Sequence, residues 1–199
     1  MKYPVELLTQ AEVQALLEAC NMRYPSGARN RALLAVLYRG GLRVSEALAL
    51  YPKDIDPAAG TLRVLHGKGD KARTVAMDRA AFDILHVWMN FRARIEGVSM
   101  ESPVFCTVEK GGAGGRLAPV YVRNLFKRLG RVAGIAKRVH PHLLRHVAFF
   151  EMANEGVPMH VIQQIAGHSN LSTTQIYISH LNPKVALDIM KSRDWKPAI

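Results

Sequence analysis

The chain has 199 residues, 49% apolar and 22% charged, a balance that suits a globular fold with a sizeable core and argues against disorder. No apolar run approaches the roughly 20 residues that cross a bilayer, and Met1-Lys2-Tyr3-Pro4 has no apolar core for a signal peptide. Cys20 and Cys106 form neither a disulfide framework nor a metal spacing, so the expectation is one domain in a reduced, cytoplasmic setting. Twenty-seven Lys and Arg against sixteen acids leave a net charge of +11 and a pI near 10.0, a surplus that favours a polyanionic partner because each phosphate neutralised releases counterions.

Along the chain, Thr9-Gln-Ala-Glu12 has the form of a capping box, and Leu8 and Val13 sit at staple positions, which predicts a helix over residues 10–19. A second helix is expected over 28–38, stopped by Gly40-Gly41, and a short apolar one over 44–50. The period then changes. Residues 61–65 and 73–77 are β-rich runs joined by a glycine-bearing loop, a hairpin that Asp54-Ile55-Asp56 could extend. Helical pattern returns over 78–94, a short strand is expected over 103–107, and Gly111-Gly-Ala-Gly-Gly115 reads as a flexible turn. From Pro119 onward the pattern is helical throughout, in segments of about 119–130, 142–155, 158–166, 173–179 and 183–192. The fold class is therefore mainly α with one small antiparallel β-sheet.

Four places hold residues able to do chemistry. Arg43 follows Gly40-Gly-Leu and precedes a short apolar helix, so rigid neighbours hold it on both sides. Lys68 lies between Gly67 and Gly69, where no neighbouring side chain would obstruct a phosphate. The loop is not a phosphate-cradling P-loop, since no Lys-Ser/Thr follows and it opens into a strand. His142-Leu-Leu-Arg145-His146 sits at a helix start marked by Pro141, and at 100° per residue His142 and Arg145 point the same way. His142 and His146 have the spacing of a metal pair, but a zinc protease would need Glu where Leu143 stands. Gly167-His168 closes one helix, and the capping box Ser172-Thr-Thr-Gln175 places Tyr177 on the first turns of the next. Each residue read by itself has an ordinary structural or solvated explanation.

In this order the motifs resemble those of the tyrosine recombinase (phage integrase) family, whose catalytic core is shared with type IB topoisomerases. The family pattern runs Gly-Leu-Arg-x-Ser-Glu, Gly-Lys-Gly on a hairpin, His-x-Leu-Arg-His, Gly-His, then a tyrosine nine residues on. Here stand Gly41-Leu-Arg43-Val-Ser-Glu46, Gly67-Lys68-Gly69, His142-Leu-Leu-Arg145-His146, Gly167-His168 and Tyr177, with nine residues from His168 to Tyr177. The likeness covers residues 8–187. Val147-Ala148-Phe149-Phe150 departs from the small and hydroxyl residues usual after Leu-Arg-His, and Ser179 intervenes before His180. The DNA-clamping domain usual ahead of the catalytic one is expected to be absent, because the pattern begins at residue 8.

The resemblance implies a site-specific recombinase that cleaves and rejoins double-stranded DNA through a 3′-phosphotyrosine, with no cofactor, metal or ATP. Arg43, Lys68, His142, Arg145, His168 and Tyr177 would be its catalytic residues. It further implies self-assembly into a tetramer on DNA, through a C-terminal helix at 183–192 docking on a neighbour, and a monomer when free. A separate DNA-binding candidate is the helix from Pro119, where Val122, Leu125, Phe126, Leu129 and Ala133 oppose Asn124, Lys127, Arg128 and Arg131. Three other readings stay open at this point: a type IB topoisomerase, a metal-dependent rolling-circle nuclease using His140-Pro141-His142, and a non-catalytic DNA-binding regulator.

Overall fold

Thr9 opens the first helix as its sequence demands. The backbone N–H of Glu12 donates to the Thr9 hydroxyl at 3.2 Å, and the Thr9 N–H donates to the Glu12 carboxylate at 2.7 Å, closing α1 (Gln10–Glu18). The computed structural model describes residues 6–65, 72–167 and 191. Helix α2 (Pro25–Arg39) begins three residues before the periodicity indicates, because Pro25 occupies its first position with the torsion preset. Then come α3 (Val44–Leu48), a 3₁₀ turn (Pro52–Asp54), β1 (Ile55–Asp56), β2 (Thr61–Val64), β3 (Arg73–Ala76) and α4 (Arg79–Arg92). The chain continues with α5 (Pro119–Val132), α6 (Pro141–Asn154) and α7 (Met159–Ala166). The strands form one antiparallel sheet in the order β1-β2-β3, with Leu62 opposite Val75 and Val64 opposite Arg73. The mainly helical class with a small antiparallel sheet is therefore correct. The helices expected at 173–179 and 183–192 lie outside the described residues, apart from Lys191.

Chain contacts divide the protein into two compact units, residues 1–148 and 149–199, with the division falling inside α6. In the first unit α2 is the central helix. Its residues from Ala32 to Leu37 are all buried, and it packs against α1, α3 and α4, while α5 packs against α1 and α3. Asp78 caps α4 by accepting from the Ala81 N–H at 3.0 Å, and Arg39 at the end of α2 donates to the same carboxylate at 2.6 Å. The strand expected over 103–107 is not one: it is a buried segment with a single bridge, Cys106 to Arg116. Its backbone groups go elsewhere, Val104 N–H to the Leu50 carbonyl at 2.7 Å and Trp88 Nε1 to the Val104 carbonyl at 2.9 Å.

The second unit has its own small core of Phe149, Ala153, Ile162 and Ala166, and α7 ends at Gly167 with φ 61°. Phe149, part of the run that departs from the family's small residues, is fully buried there. That explains its size, since truncating a buried Phe to Ala costs about 3–5 kcal/mol.

Candidate active site

The Gly40-Gly41 stop does more than end α2. Gly41 takes φ 60°, a left-handed turn that other residues adopt at a cost, and this sends Leu42 into the core and leaves Arg43 at the mouth of α3. Glu46, three residues on, folds back: the Arg43 N–H donates to Glu46 Oε2 at 2.8 Å and Arg43 Nη1 donates to Oε1 at 2.7 Å. From β3, Arg73 grips the same carboxylate with both prongs, Nη1 to Oε1 at 3.0 Å and Nη2 to Oε2 at 2.8 Å. Arg145, on α6, brings Nη1 to 3.9 Å from Glu46 Oε2 and donates to the Gly41 carbonyl. One carboxylate, 4% exposed, thus gathers three guanidinium groups from three elements.

The charge balance fixes the state of that carboxylate. Burial by itself would raise its pKa, but the hydrogen bonds from Arg73 and from the Arg43 backbone and side chain, with the Arg73 charge, pull it down to about 2. Glu46 is therefore ionised under all ordinary conditions, and its three partners are permanently charged.

Beside this group lies an open cleft of about 540 Å³, lined by Arg43, Ser45, Arg123, Arg138, His140 and His142 among others. Its shape depends on Gly130 of α5, because a Cβ there would sit 2.8 Å from Val139 Cγ2. The bare glycine lets Val139 bury against α5 and so brings the Arg138–His142 turn alongside Arg123. Burial holds the His140 pKa below the usual histidine value, and the charges of Arg138 and His142 add to this. Burial acts likewise on His146, reinforced by His142, His140 and Arg145. Three arginines lining a concavity with no acid among its lining residues suit an anion such as a phosphodiester.

The structure brings Arg43 and Arg145 to a shared carboxylate and Arg43 and His142 to a shared cleft. It separates His142 from Arg145 in environment, although they lie on one side of α6: His142 is exposed, whereas Arg145 is 5% exposed and turned toward Glu46. Lys68, His168 and Tyr177 lie outside the described residues. Sequence reasoning assigned no role to Glu46, Arg73, Arg123 or Arg138. Glu46 was visible as the last residue of the Gly-Leu-Arg-x-Ser-Glu motif, three residues past Arg43, where a helix start favours an acid. Arg73 gave no sign beyond its place after the hairpin loop. Among the described residues no three His, Cys, Asp or Glu side chains converge as metal ligands.

Comparison with known proteins places the chain. The model of the phage integrase family matches residues 6–183. Tyrosine recombinase XerC of Bacillus subtilis (strain 168) is 35% identical over 174 residues, which are 86% of this chain and 56% of the relative. The crystal structure of XerA recombinase superposes with a TM-score of 0.78 at 27% identity, covering 98% of this chain and 66% of that one. XerH site-specific recombinase bound to palindromic difH substrate, in a post-cleavage complex, gives a TM-score of 0.76 at 27% identity over 96% of this chain and 54% of XerH. The chain thus spans little more than half the length of its curated relative. With its motif order, its helical fold and the paired arginines at Glu46, this chain belongs to the phage integrase family.

Proposed function

We propose that the chain is the catalytic part of a tyrosine site-specific recombinase, acting on double-stranded DNA. The observation that carries the reading is the joining of Arg43 and Arg145 through one buried carboxylate at the edge of a cationic cleft, in a chain with the family's residue order. XerC and XerH, named as recombinases, add support.

In the proposed reaction the Tyr177 oxygen attacks the scissile phosphorus in line with the departing 5′-oxygen. The new bond is tyrosine O–P, and the bond broken is P–O5′. The tyrosine proton leaves toward His142, and Lys68 protonates the 5′-oxygen. Arg43 and Arg145 offer planar charged forks to the non-bridging oxygens, and His168 adds a hydrogen bond. The 3′-phosphotyrosine retains the energy of the phosphodiester, so a 5′-hydroxyl from the same or a second duplex reseals it without ATP. Neither a metal nor a cofactor enters the scheme, because the arginines carry the charge neutralisation. On DNA the proposed assembly is a tetramer in which the 183–192 segment docks head-to-tail on a neighbouring protomer, with a monomer in dilute solution.

The test is a nicked suicide duplex built on inverted repeats from the DNA beside the gene. Wild-type protein is expected to give an SDS-resistant shifted band and Tyr177→Phe none. A band that persists with Tyr177→Phe would remove the assignment. Truncation after His180 is expected to keep attack on a half-site and to abolish pairing of two sites.

A further inference from the structure

Arg73 stands outside the family motifs that identified the site, yet it makes the most complete contact with Glu46. The carboxylate has two oxygens, and each receives one nitrogen from Arg43 and one from Arg73. Oε1 takes Arg43 Nη1 at 2.7 Å and Arg73 Nη1 at 3.0 Å, and Oε2 takes the Arg43 N–H and Arg73 Nη2, both at 2.8 Å. The Arg43 N–H holds Oε2 from the helix backbone, but Oε1 meets only the Arg43 side chain from that helix, so the carboxylate could still pivot about Oε2 and carry that side chain with it. Arg73 comes from 27 residues away, and its backbone is locked in the sheet opposite Val64. Its two-pronged grip therefore removes the freedom of the carboxylate to rotate. Arg43, whose Nη1 donates to that fixed carboxylate, also lines the cleft.

We propose that Arg73 is a positioning residue for phosphate activation, acting through Glu46 to aim Arg43 at the non-bridging oxygens. The proposal rests on the recombinase reading above. It differs from simple neutralisation of a buried acid, for which any cation would serve. A lysine keeps the charge but is a single point that cannot span both oxygens, so Arg73→Lys separates the two roles.

The experiment is single-turnover cleavage by the full chain of two nicked duplexes, one ordinary and one with a neutral methylphosphonate at the scissile position. The methylphosphonate lacks the oxygen charge that Arg43 would neutralise, so a fault confined to aiming Arg43 matters only on the ordinary phosphate. Arg73→Lys is expected to slow cleavage of the ordinary duplex by up to about 10²-fold, the scale of a misplacement near 1 Å, while matching wild type on the methylphosphonate and in DNA binding. Glu46→Gln, which keeps the shape and removes the charge, is expected to show the same pattern. The proposal is overturned if Arg73→Lys cleaves the ordinary duplex at the wild-type rate, or loses equally on both. Should Arg73→Lys fail to fold, Glu46→Gln decides by the same two criteria. Wild-type protein that cleaves neither duplex would overturn the recombinase reading and this proposal together, a result distinct from wild-type cleavage with no difference between substrates.

Discussion

Arginine is buried in two quite different ways in the first unit. Arg29, in the second turn of α2, is wholly buried and has neutral partners among the described residues: the Cys106 carbonyl at 2.9 Å, Asn30 Oδ1 at 3.1 and 3.2 Å, and the Tyr121 hydroxyl. Its guanidinium also lies 5.1 Å from the centre of the Tyr121 ring. Arg43, Arg73 and Arg145 instead share the ionised carboxylate of Glu46. Burial does not account for the contrast, since Arg145 is almost as enclosed as Arg29 although Arg43 and Arg73 are only partly buried. The difference is the partner. Arg29 directs its donors at fixed dipoles of three elements and so ties α2, the 104–106 segment and α5 together. The Glu46 group sets three guanidinium groups around one ionised carboxylate, and Arg43 of that group lines a cleft open to solvent. The first arrangement ties elements together through neutral dipoles, and the second gathers charge around one acid beside the cleft, which is where the recombinase reading puts the phosphate.

The comparison breaks most visibly at Arg29. Arg29→Met would strand a buried carbonyl, the Asn30 amide oxygen and the Tyr121 hydroxyl, each costing about 1–3 kcal/mol, so a loss of about 3–5 kcal/mol is expected from the denaturant midpoint. The molecules still folded should cleave DNA at the wild-type rate. A cost near zero would mean that Arg29 is not the tie described. Arg43→Ala should do the converse. Cleavage is expected to fall by about 10²–10³, or 3–4 kcal/mol in the barrier, with a nearly unchanged midpoint, because Glu46 keeps Arg73. If Arg43→Ala unfolds the protein, the division between the two kinds of arginine is wrong.

Acid sharpens the same contrast. The Glu46 pKa is lowered from 4.5 to about 2 on folding, so its contribution to stability is fully present above pH 4.5 and is lost as pH falls from there toward 2. At 1.36 kcal/mol per unit that contribution reaches about 3 kcal/mol. Arg29 has no titrating partner of this kind among the described residues and should add no pH dependence in this range. Glu46→Gln is therefore expected to flatten the acid limb of a stability profile, measured by urea unfolding between pH 2 and 6. An unchanged acid limb in that variant would show that Glu46 is not the group responsible.

Much of this arrangement is legible in the amino-acid sequence, and the reasons are local. The cap at Thr9, the apolar stripe of α5 and the hairpin strands depend on residues within a few positions of one another, and those interactions form where the pattern places them. The segment at 103–107 reads as a strand because Val104, Phe105 and Cys106 are apolar, but its hydrogen bonds are taken by Trp88 and Leu50, which no local pattern announces. Helical geometry puts His142 and Arg145 on one side of α6 and cannot tell that only one of them is buried. The pairing of Arg73 with Glu46 spans 27 residues, so it needs the sheet to form before it exists. The motif residues are legible as types in order, whereas the contact of Arg73 with Glu46 is not.

Helix α5 offers a third setting for basic residues, solvent-exposed and without an acidic partner among the described residues, and the smallest expected effect. Val122, Leu125, Phe126 and Leu129 are buried, while Asn124, Lys127, Arg128 and Arg131 lie along the other side, with Lys127 and Arg128 exposed. If Lys127 and Arg128 each lie on a DNA phosphate, as the recombinase reading suggests, each contact releases about one counterion on binding. Lys127→Gln and Arg128→Gln should then each lower the slope of log affinity against log salt by about 1, equally for target and unrelated duplexes. Folding stability should not change, because solvent already surrounds both side chains. A loss confined to one sequence, at about 1–3 kcal/mol for a lost base contact, would instead place the helix against base edges. An unchanged slope in both variants would mark this face as merely solvated and shift attention to the cleft, whose lining includes Arg43, Arg123 and Arg138.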